Sequence, residues 1–252
     1  LVLPARAKVA VVGATGSGKT TLAKLVTRLV DPASGAVLLD GVDLRDVTLA
    51  SLRRRVVLVP QEGFLFEGTL LENVVYGLRD APAGAGSAGA GSADAGSAGA
   101  DGAAEDGSGG QADLAATARA AFAELGLADW LADLPHGLAT DVGQRGERLS
   151  AGERQLVALA RAHLAAADFL VLDEATSAVD PATEVRIARA LDQLTAGRST
   201  LTIAHRLSTA EAADVVVVVE AGRVVQVGPH ARLLAEDGPY AAMHAAWLAQ
   251  TR

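Results

Sequence analysis

The stretch that most constrains this chain is Gly13-Ala14-Thr15-Gly16-Ser17-Gly18-Lys19-Thr20, which fits G-x-x-x-x-G-K-[ST], the phosphate-binding loop. Ahead of it, Val9-Ala10-Val11-Val12 is a β-branched apolar run of the kind that forms a buried parallel strand. Behind it, Leu22, Leu25, Val26 and Leu29 recur at helical spacing, so a helix is expected to begin near Lys19. A strand, a glycine-rich turn and a helix in that order make an anion nest. Glycine lets successive N–H groups point into one concavity, and the helix adds the positive end of its dipole. Lys19 is placed to reach β- and γ-phosphates, and the Thr20 hydroxyl to ligate Mg²⁺.

Composition narrows the class. A chain of 252 residues holds one large α/β domain or two small ones. A formal charge of −8 argues against a broad electrostatic grip on nucleic acid. The absence of cysteine excludes disulfides and thiolate metal sites. No run approaches the roughly 18 apolar residues of a membrane span. There is no secretory signal pattern, and the first residue is Leu1, so the chain is expected to be cut from something longer.

Down the chain, residues 31–35 read as a turn, residues 36–40 as a short strand and residues 41–43 as another turn. Leu49, Leu52 and Arg53-Arg54-Arg55 suggest a short helix whose basic end is favoured by the dipole. Val56-Val57-Leu58-Val59 is a second buried strand, with Gln61 just beyond its carboxyl end, where ligands bind in open α/β sheets. Phe64-Leu65-Phe66 is an apolar cluster in a loop, which fits either a partner surface or a loop tucked against its own core. Thr69 and Glu72 form a capping box for a helix over residues 69–75.

Residues 81–110 differ in kind. They are nearly all Ala, Gly, Ser and Asp, holding 10 of the 27 glycines, four acids and no Lys or Arg. Such a stretch has little to bury and is expected to be a flexible insert spanning roughly 30 Å. From Gln111, the positions Leu114, Ala118, Ala121, Phe122 and Leu125 make an amphipathic helix that Gly126 can end. A shorter helix is expected at residues 129–134 and a loop at residues 141–148. Four divisions follow: residues 1–80, the insert 81–110, a helical part 111–167, and residues 168–252.

Two further stretches bear on phosphate chemistry. Leu149-Ser150-Ala151-Gly152-Glu153-Arg154-Gln155 opens a strong helix with Ser150 as N-cap. Phe169-Leu170-Val171-Leu172-Asp173-Glu174 is an apolar strand ending in two carboxylates, costly without a cation nearby. Mg²⁺ at the phosphate loop would supply it, with Asp173 holding the metal and Glu174 polarising the attacking water as general base. Ser177-Ala178-Val179-Asp180-Pro181 caps the next helix, residues 199–203 form a strand, and His205 follows its end, within reach of a γ-phosphate. Residues 215–219 and 224–227 read as a hairpin, and two short helices close the chain.

These residues together resemble the nucleotide-binding domain of an ABC transporter over nearly all of the chain outside the insert. The phosphate loop is followed by Gln61 as Q-loop, LSAGERQ at residues 149–155 as signature, Asp173-Glu174 as Walker B and catalytic glutamate, residues 177–180 as D-loop and His205 as H-loop. The resemblance implies a P-loop NTPase fold, α/β with a mainly parallel RecA-like sheet flanked by helices and an inserted helical signature subdomain. It implies ATP and Mg²⁺ as ligands, with residues 13–20, Thr21, Gln61, Ser150, Gly152 and Asp180 at the nucleotide, and Thr20, Gln61 and Asp173 at the metal. It implies catalysis by Glu174, His205 and Lys19.

Two such domains would pair head to tail, each ATP lying between one phosphate loop and the other's signature helix. Residues 61–66 would meet a transmembrane domain, and the domain would sit at the cytoplasmic face of the plasma membrane. The strings SAVD and TIAHRLST look exporter-like. Ala151 stands where glycine is usual and Glu153 where glutamine is usual, adding a methyl and an acid beside an anion site; Gln144 stands where exporters often carry glutamate. No aromatic precedes Phe64, so the adenine-stacking ring is expected upstream of Leu1, and ATP binding by the chain alone is expected to be weak. A soluble ATPase of the same superfamily acting on DNA is the competing class. Glu153 suits it; the acidic balance and the lack of a long heptad insert do not. A non-hydrolysing nucleotide switch is disfavoured by Glu174 and His205.

Overall fold

The computed structural model describes residues 1–61, 63–78, 107–173, 179–204 and 206–250. Its centre is a six-stranded sheet made of β1 (Lys8–Val12), β4 (Val56–Val59), β5 (Phe169–Asp173), β6 (Ser199–Ile203), β7 (Val215–Glu220) and β8 (Arg223–Gly228). The spatial order is β4-β5-β6-β1-β7-β8. All neighbours are parallel except β7 and β8, which pair antiparallel across a tight turn at Ala221-Gly222, both at positive φ. This is the mainly parallel α/β sheet expected of the chain. Strands β1, β4, β5 and β7 are near-continuous in apolar residues because both faces are covered, and β6 alternates Thr with Leu and Ile.

The faces divide by alternation. Val9 and Val11 of β1 point with Val171, Leu201 and Val217 toward α1 (Lys19–Val26) and α2 (Leu49–Arg55). Ala10 and Val12 point the other way, with Val216 and Val218, toward α8 (Leu207–Glu211), α9 (His230–Ala235) and α10 (Pro239–Gln250). A third cluster joins Val59, Leu170 and Leu172 to α3 (Leu70–Val75), α4 (Gly107–Glu124), α5 (Ala128–Asp133), α6 (Ala151–Leu164) and α7 (Pro181–Thr195). The signature helix α6 therefore has one side in the core, with Leu156, Val157, Leu159 and Ala160 buried.

Several expectations need correction. The strand expected at residues 36–40 is only β2 (Leu38–Leu39), and the turn expected at residues 41–43 contains β3 (Val42–Asp43), its antiparallel partner. Asp40 and Gly41 at positive φ form the two-residue turn between them, the Asp-Gly signal of a tight hairpin. Leu29 is not on the α1 face. The helix stops at Val26, Arg28 takes a left-handed φ of 52°, and Leu29 N–H donates to Lys24 O at 2.8 Å, a Schellman closure. Arg28 gains what offsets that strain, donating to Leu44 O at 2.7 Å and Val47 O at 2.6 Å. Helix α4 starts at Gly107, inside the stretch expected to be flexible; the rest of that stretch lies outside the described residues. Among the described residues, no helix is long and apolar enough to cross a membrane.

Candidate phosphate and metal site at the carboxyl edge of the sheet

Parallel pairing puts the carboxyl ends of β4, β5, β6 and β1 along one edge, so Gln61, Asp173 and the loop at residues 13–20 share that edge. Residues 13–18 wrap into the cradle the motif requires. Gly13, Gly16 and Gly18 have φ of 152°, 79° and 109°, which L-residues adopt only under strain. Gly13 is needed for a second reason: a side chain there would strike the carbonyl of Val219. The loop is clamped from the neighbouring strand on the same edge, where the Gly222 N–H of the β7–β8 turn donates to Ser17 O at 2.8 Å.

Lys19 is buried, and its ammonium donates back to Gly13 O at 2.7 Å and Ala14 O at 3.0 Å. Burial pushes its pKa below the ordinary lysine value, while the Asp173 carboxylate pulls the other way. Lys19 and Asp173 are thus electrically coupled across the edge, as expected for a site that handles both phosphate and a cation. The buried Ser17 Oγ has no hydrogen-bond partner. Gly18 caps α1 with no side-chain hydrogen bond, so the first-turn N–H groups are not capped by a side chain. An uncapped helix start, an orphan hydroxyl and a coiled lysine are what a phosphate chain would satisfy. Ala14, Thr15, Gly16, Thr20 and Thr21 are exposed on the open side. Thr20, Gln61 and Asp173 offer a hydroxyl, an amide oxygen and a carboxylate. That all-oxygen set suits Mg²⁺.

The signature stretch is built differently. Ser150 caps α6, and Glu153 returns the cap: Ser150 N–H donates to Glu153 Oε2 at 2.8 Å, and Glu153 N–H to Ser150 Oγ at 3.2 Å. Trp130 Nε1 donates to Glu153 Oε1 at 3.3 Å. The acid expected to face an incoming anion is therefore turned into its own helix. Ala151 is exposed, and its methyl fills nothing. Gly152 is buried because a Cβ would sit 2.5 Å from Thr183 Cγ2 and 2.7 Å from Val179 Cγ1. Its glycine requirement in this chain is the close packing of α6 on the start of α7. Asp180 caps α7 by accepting from Thr183 N–H at 3.0 Å, which holds its carboxyl below the usual carboxylate range. Among the described residues, no hydrogen bond joins residues 149–155 to the phosphate loop. Glu174, Ser177 and His205 lie outside the described residues.

The loop after Gln61 resolves the open choice at Phe64-Leu65-Phe66 by splitting it. Leu65 is 0 % exposed in the core, whereas Phe64 and Phe66 are 53 % and 44 % exposed. Three residues that the sequence did not single out set this geometry. Buried Asn73 clasps Phe66, accepting from its N–H at 2.8 Å and donating to its carbonyl at 2.9 Å. Arg161 donates to Phe64 O at 3.1 Å and Asn73 O at 3.0 Å and lies over the Tyr76 ring. Gly63 allows the loop to pass the Arg154 carbonyl, which a Cβ would strike. A cleft of about 300 Å³ between α7, α8 and the sheet touches Asp173 at one end. Its other walls include Leu172, Ile187, Leu191 and Thr202, and none of the phosphate loop, so it is not the phosphate site.

Residues 1–177 match the family described as ABC transporter. The chain is 44% identical over 242 residues to an ATP-dependent lipid A-core flippase of Thiobacillus denitrificans, covering 96% of this chain and 36% of that protein. It is 39% identical over 241 residues to an uncharacterised ABC transporter ATP-binding protein of Bacillus subtilis, covering 96% of this chain and 35% of the other. Among solved structures, that of a bacterial Atm1-family ABC exporter with ATP bound superimposes with a TM-score of 0.77 at 38% identity, over 97% of this chain and 37% of that one. The chain thus spans about a third of the length of the relatives it matches.

Proposed function

The chain belongs to the ABC transporter family, and from that premise we propose that it is the ATP-binding and ATP-hydrolysing domain that powers an exporter. The observation that carries the reading is the buried Lys19 ammonium, coiled into a glycine cradle beside an orphan Ser17 hydroxyl and coupled to Asp173. A triphosphate entering the cradle takes over the Lys19 hydrogen bonds and the first-turn N–H groups of α1. Water then attacks the γ-phosphorus, its proton passes to Glu174, and the bond to the ADP oxygen breaks, with His205 positioning water and γ-phosphate. Thr20, Gln61 and Asp173 would hold Mg²⁺, which when bound neutralises charge on the phosphates.

The uncoupled signature helix supports head-to-tail pairing, since its Ser150 end makes no hydrogen bond to the phosphate loop of its own chain among the described residues. A second such domain would bring its own Ser150 and Gly152 to this site, and Asp180 would lie at the seam. The exposed Phe64 and Phe66, anchored by Leu65, supply a knob for a transmembrane partner at the cytoplasmic membrane face. Size-exclusion chromatography with Glu174→Gln tests the reading. Mg-ATP is expected to drive that variant into a dimer while abolishing turnover. Turnover equal to the parent protein, or turnover stimulated by DNA, would overturn it.

A further inference from the structure

Away from the phosphate edge, three metal-competent side chains from three helices converge. Glu211 ends α8, His230 opens α9 and His244 lies within α10. One ligand atom from each lies within 4.8 Å of the other two. His244 Nε2 is 3.3 Å from Glu211 Oε1. That separation is about the edge of a tetrahedron whose metal–ligand bonds are about 2.0–2.1 Å. His230 has its Nδ1 bonded to Tyr240 Oη at 2.7 Å, which fixes the ring and leaves Nε2 as its ligating nitrogen. Tyr240 is itself fully buried, so it is a firm outer support of the kind that orients metal-binding imidazoles. The two imidazole rings lie 5.5 Å apart between centroids, tilted 46° to one another. His244 is buried, His230 half-buried and Glu211 exposed, so the cluster has a fixed floor and an open mouth.

We propose that Glu211, His230 and His244 bind one divalent transition-metal cation, zinc suiting the set best, with water completing a tetrahedron. The two imidazoles are borderline donors that favour zinc and its late first-row neighbours over magnesium or calcium, and zinc accepts a carboxylate beside them. The donors come from three separate helices that share one apolar cluster through Ala210, Leu233 and Tyr240. A bound ion therefore ties the last two helices to the segment that follows β6. None of these residues takes part in the phosphate chemistry, so the site stands or falls independently of the ATPase reading.

The test uses the untagged chain, stripped with chelator and titrated with Co²⁺ and then Zn²⁺. One saturating equivalent with the visible absorption of tetrahedral Co²⁺ is expected, displaced by Zn²⁺; the chain has no cysteine to produce such a spectrum through sulfur. Glu211→Gln, at an exposed position, and His230→Asn are each expected to weaken binding at least tenfold, and zinc is expected to raise the melting temperature of the parent chain more than that of either of these two variants. Asp173→Asn is expected to bind as the parent does, which separates this site from the phosphate edge. Absence of saturable binding, or equal binding by parent and Glu211→Gln, would overturn the proposal.

Discussion

The Glu153 carboxylate accepts from the backbone N–H of Ser150, the residue whose hydroxyl accepts from the N–H of Glu153, so these two residues close the start of α6 on each other. The other carboxylate oxygen of Glu153 takes the Trp130 indole N–H. Both oxygens act as acceptors from donors, a demand that glutamine cannot meet, because its amide nitrogen would oppose either an N–H or an indole. Glu153→Gln is expected to lose one hydrogen bond and about 0.5–1.5 kcal/mol of stability. Glu153→Ala is expected to lose more, since the cap's second half goes too. Urea denaturation of the parent and the two variants measures the order; a Glu153→Gln variant as stable as the parent would show that the hydrogen bond it gives up contributes nothing.

The N-cap was legible from Ser150, but the sequence reading set Glu153 beside an anion and not in the cap, and its link to Trp130 was not visible, because it joins positions far apart in sequence. The same division runs through the fold. Strands β1, β4, β5 and β7 were readable because burial on both faces leaves nearly unbroken apolar runs, whereas β6, Ser-Thr-Leu-Thr-Ile, shows as a run of β-branched residues. Helix α8 has five residues, too few to show a period, and β2 and β3 have two residues each, set by the Asp40-Gly41 turn more than by their own pattern. Leu29 looked like the next residue of the α1 face. What ends the helix is Arg28, whose hydrogen bonds to Leu44 O and Val47 O depend on a loop many residues later. In the candidate site, the phosphate cradle was local and visible. Asn73 and Arg161, which hold the Phe64–Phe66 knob by backbone contacts, leave no motif.

Gly152 is confined by α7 and not by its own helix. Gly152→Ala would place a methyl 2.5 Å from Thr183 Cγ2, inside the closest approach carbon atoms tolerate. A destabilisation of about 1–3 kcal/mol is expected, typical of overpacking. Thr183→Ser removes that Cγ2, so the double variant is expected to recover part of the loss, Val179 Cγ1 still being close. Ala151→Gly, at an exposed position, is expected to change stability by less than about 1 kcal/mol. A double-mutant cycle read by thermal unfolding checks all three; additivity of Gly152→Ala and Thr183→Ser would refute the contact.

Asp180 caps α7, and the Thr183 N–H bonded to its carboxylate lowers its pKa below the ordinary 3.8. A folded-state pKa below the unfolded one means the unfolded chain takes up the proton first as pH falls. The stabilisation is therefore complete above the ordinary pKa and lost as pH drops through the depressed one. Asp180→Asn keeps a capping oxygen and removes the charge. The stability difference between the parent chain and this variant is expected to be constant from about pH 7 to pH 5 and to close below about pH 4. Urea midpoints across that range decide it, and a gap that persists in acid would assign the effect to shape and not charge.

Lys19 combines a functional demand with a folding cost. Its ammonium is buried, held by Gly13 O and Ala14 O, and desolvation lowers its pKa despite the pull of Asp173. Lys19→Met removes the cation the phosphates need, and turnover is expected to fall by about 100-fold or more. The stabilisation given by saturating Mg-ATP, about 2.7 kcal/mol at a hundred times Kd in the parent, is expected to vanish. Without nucleotide, the variant is expected to be no less stable than the parent near neutral pH, because methionine carries no charge to desolvate. That advantage has a pH signature. The unfolded chain holds its lysine proton up to about 10.5, whereas the folded chain releases it earlier, so the parent gains stability as pH rises through that interval and approaches the variant. Paired melts with and without Mg-ATP, repeated toward alkaline pH, separate the two roles; a variant that keeps both ATP-induced stabilisation and turnover would remove Lys19 from the site.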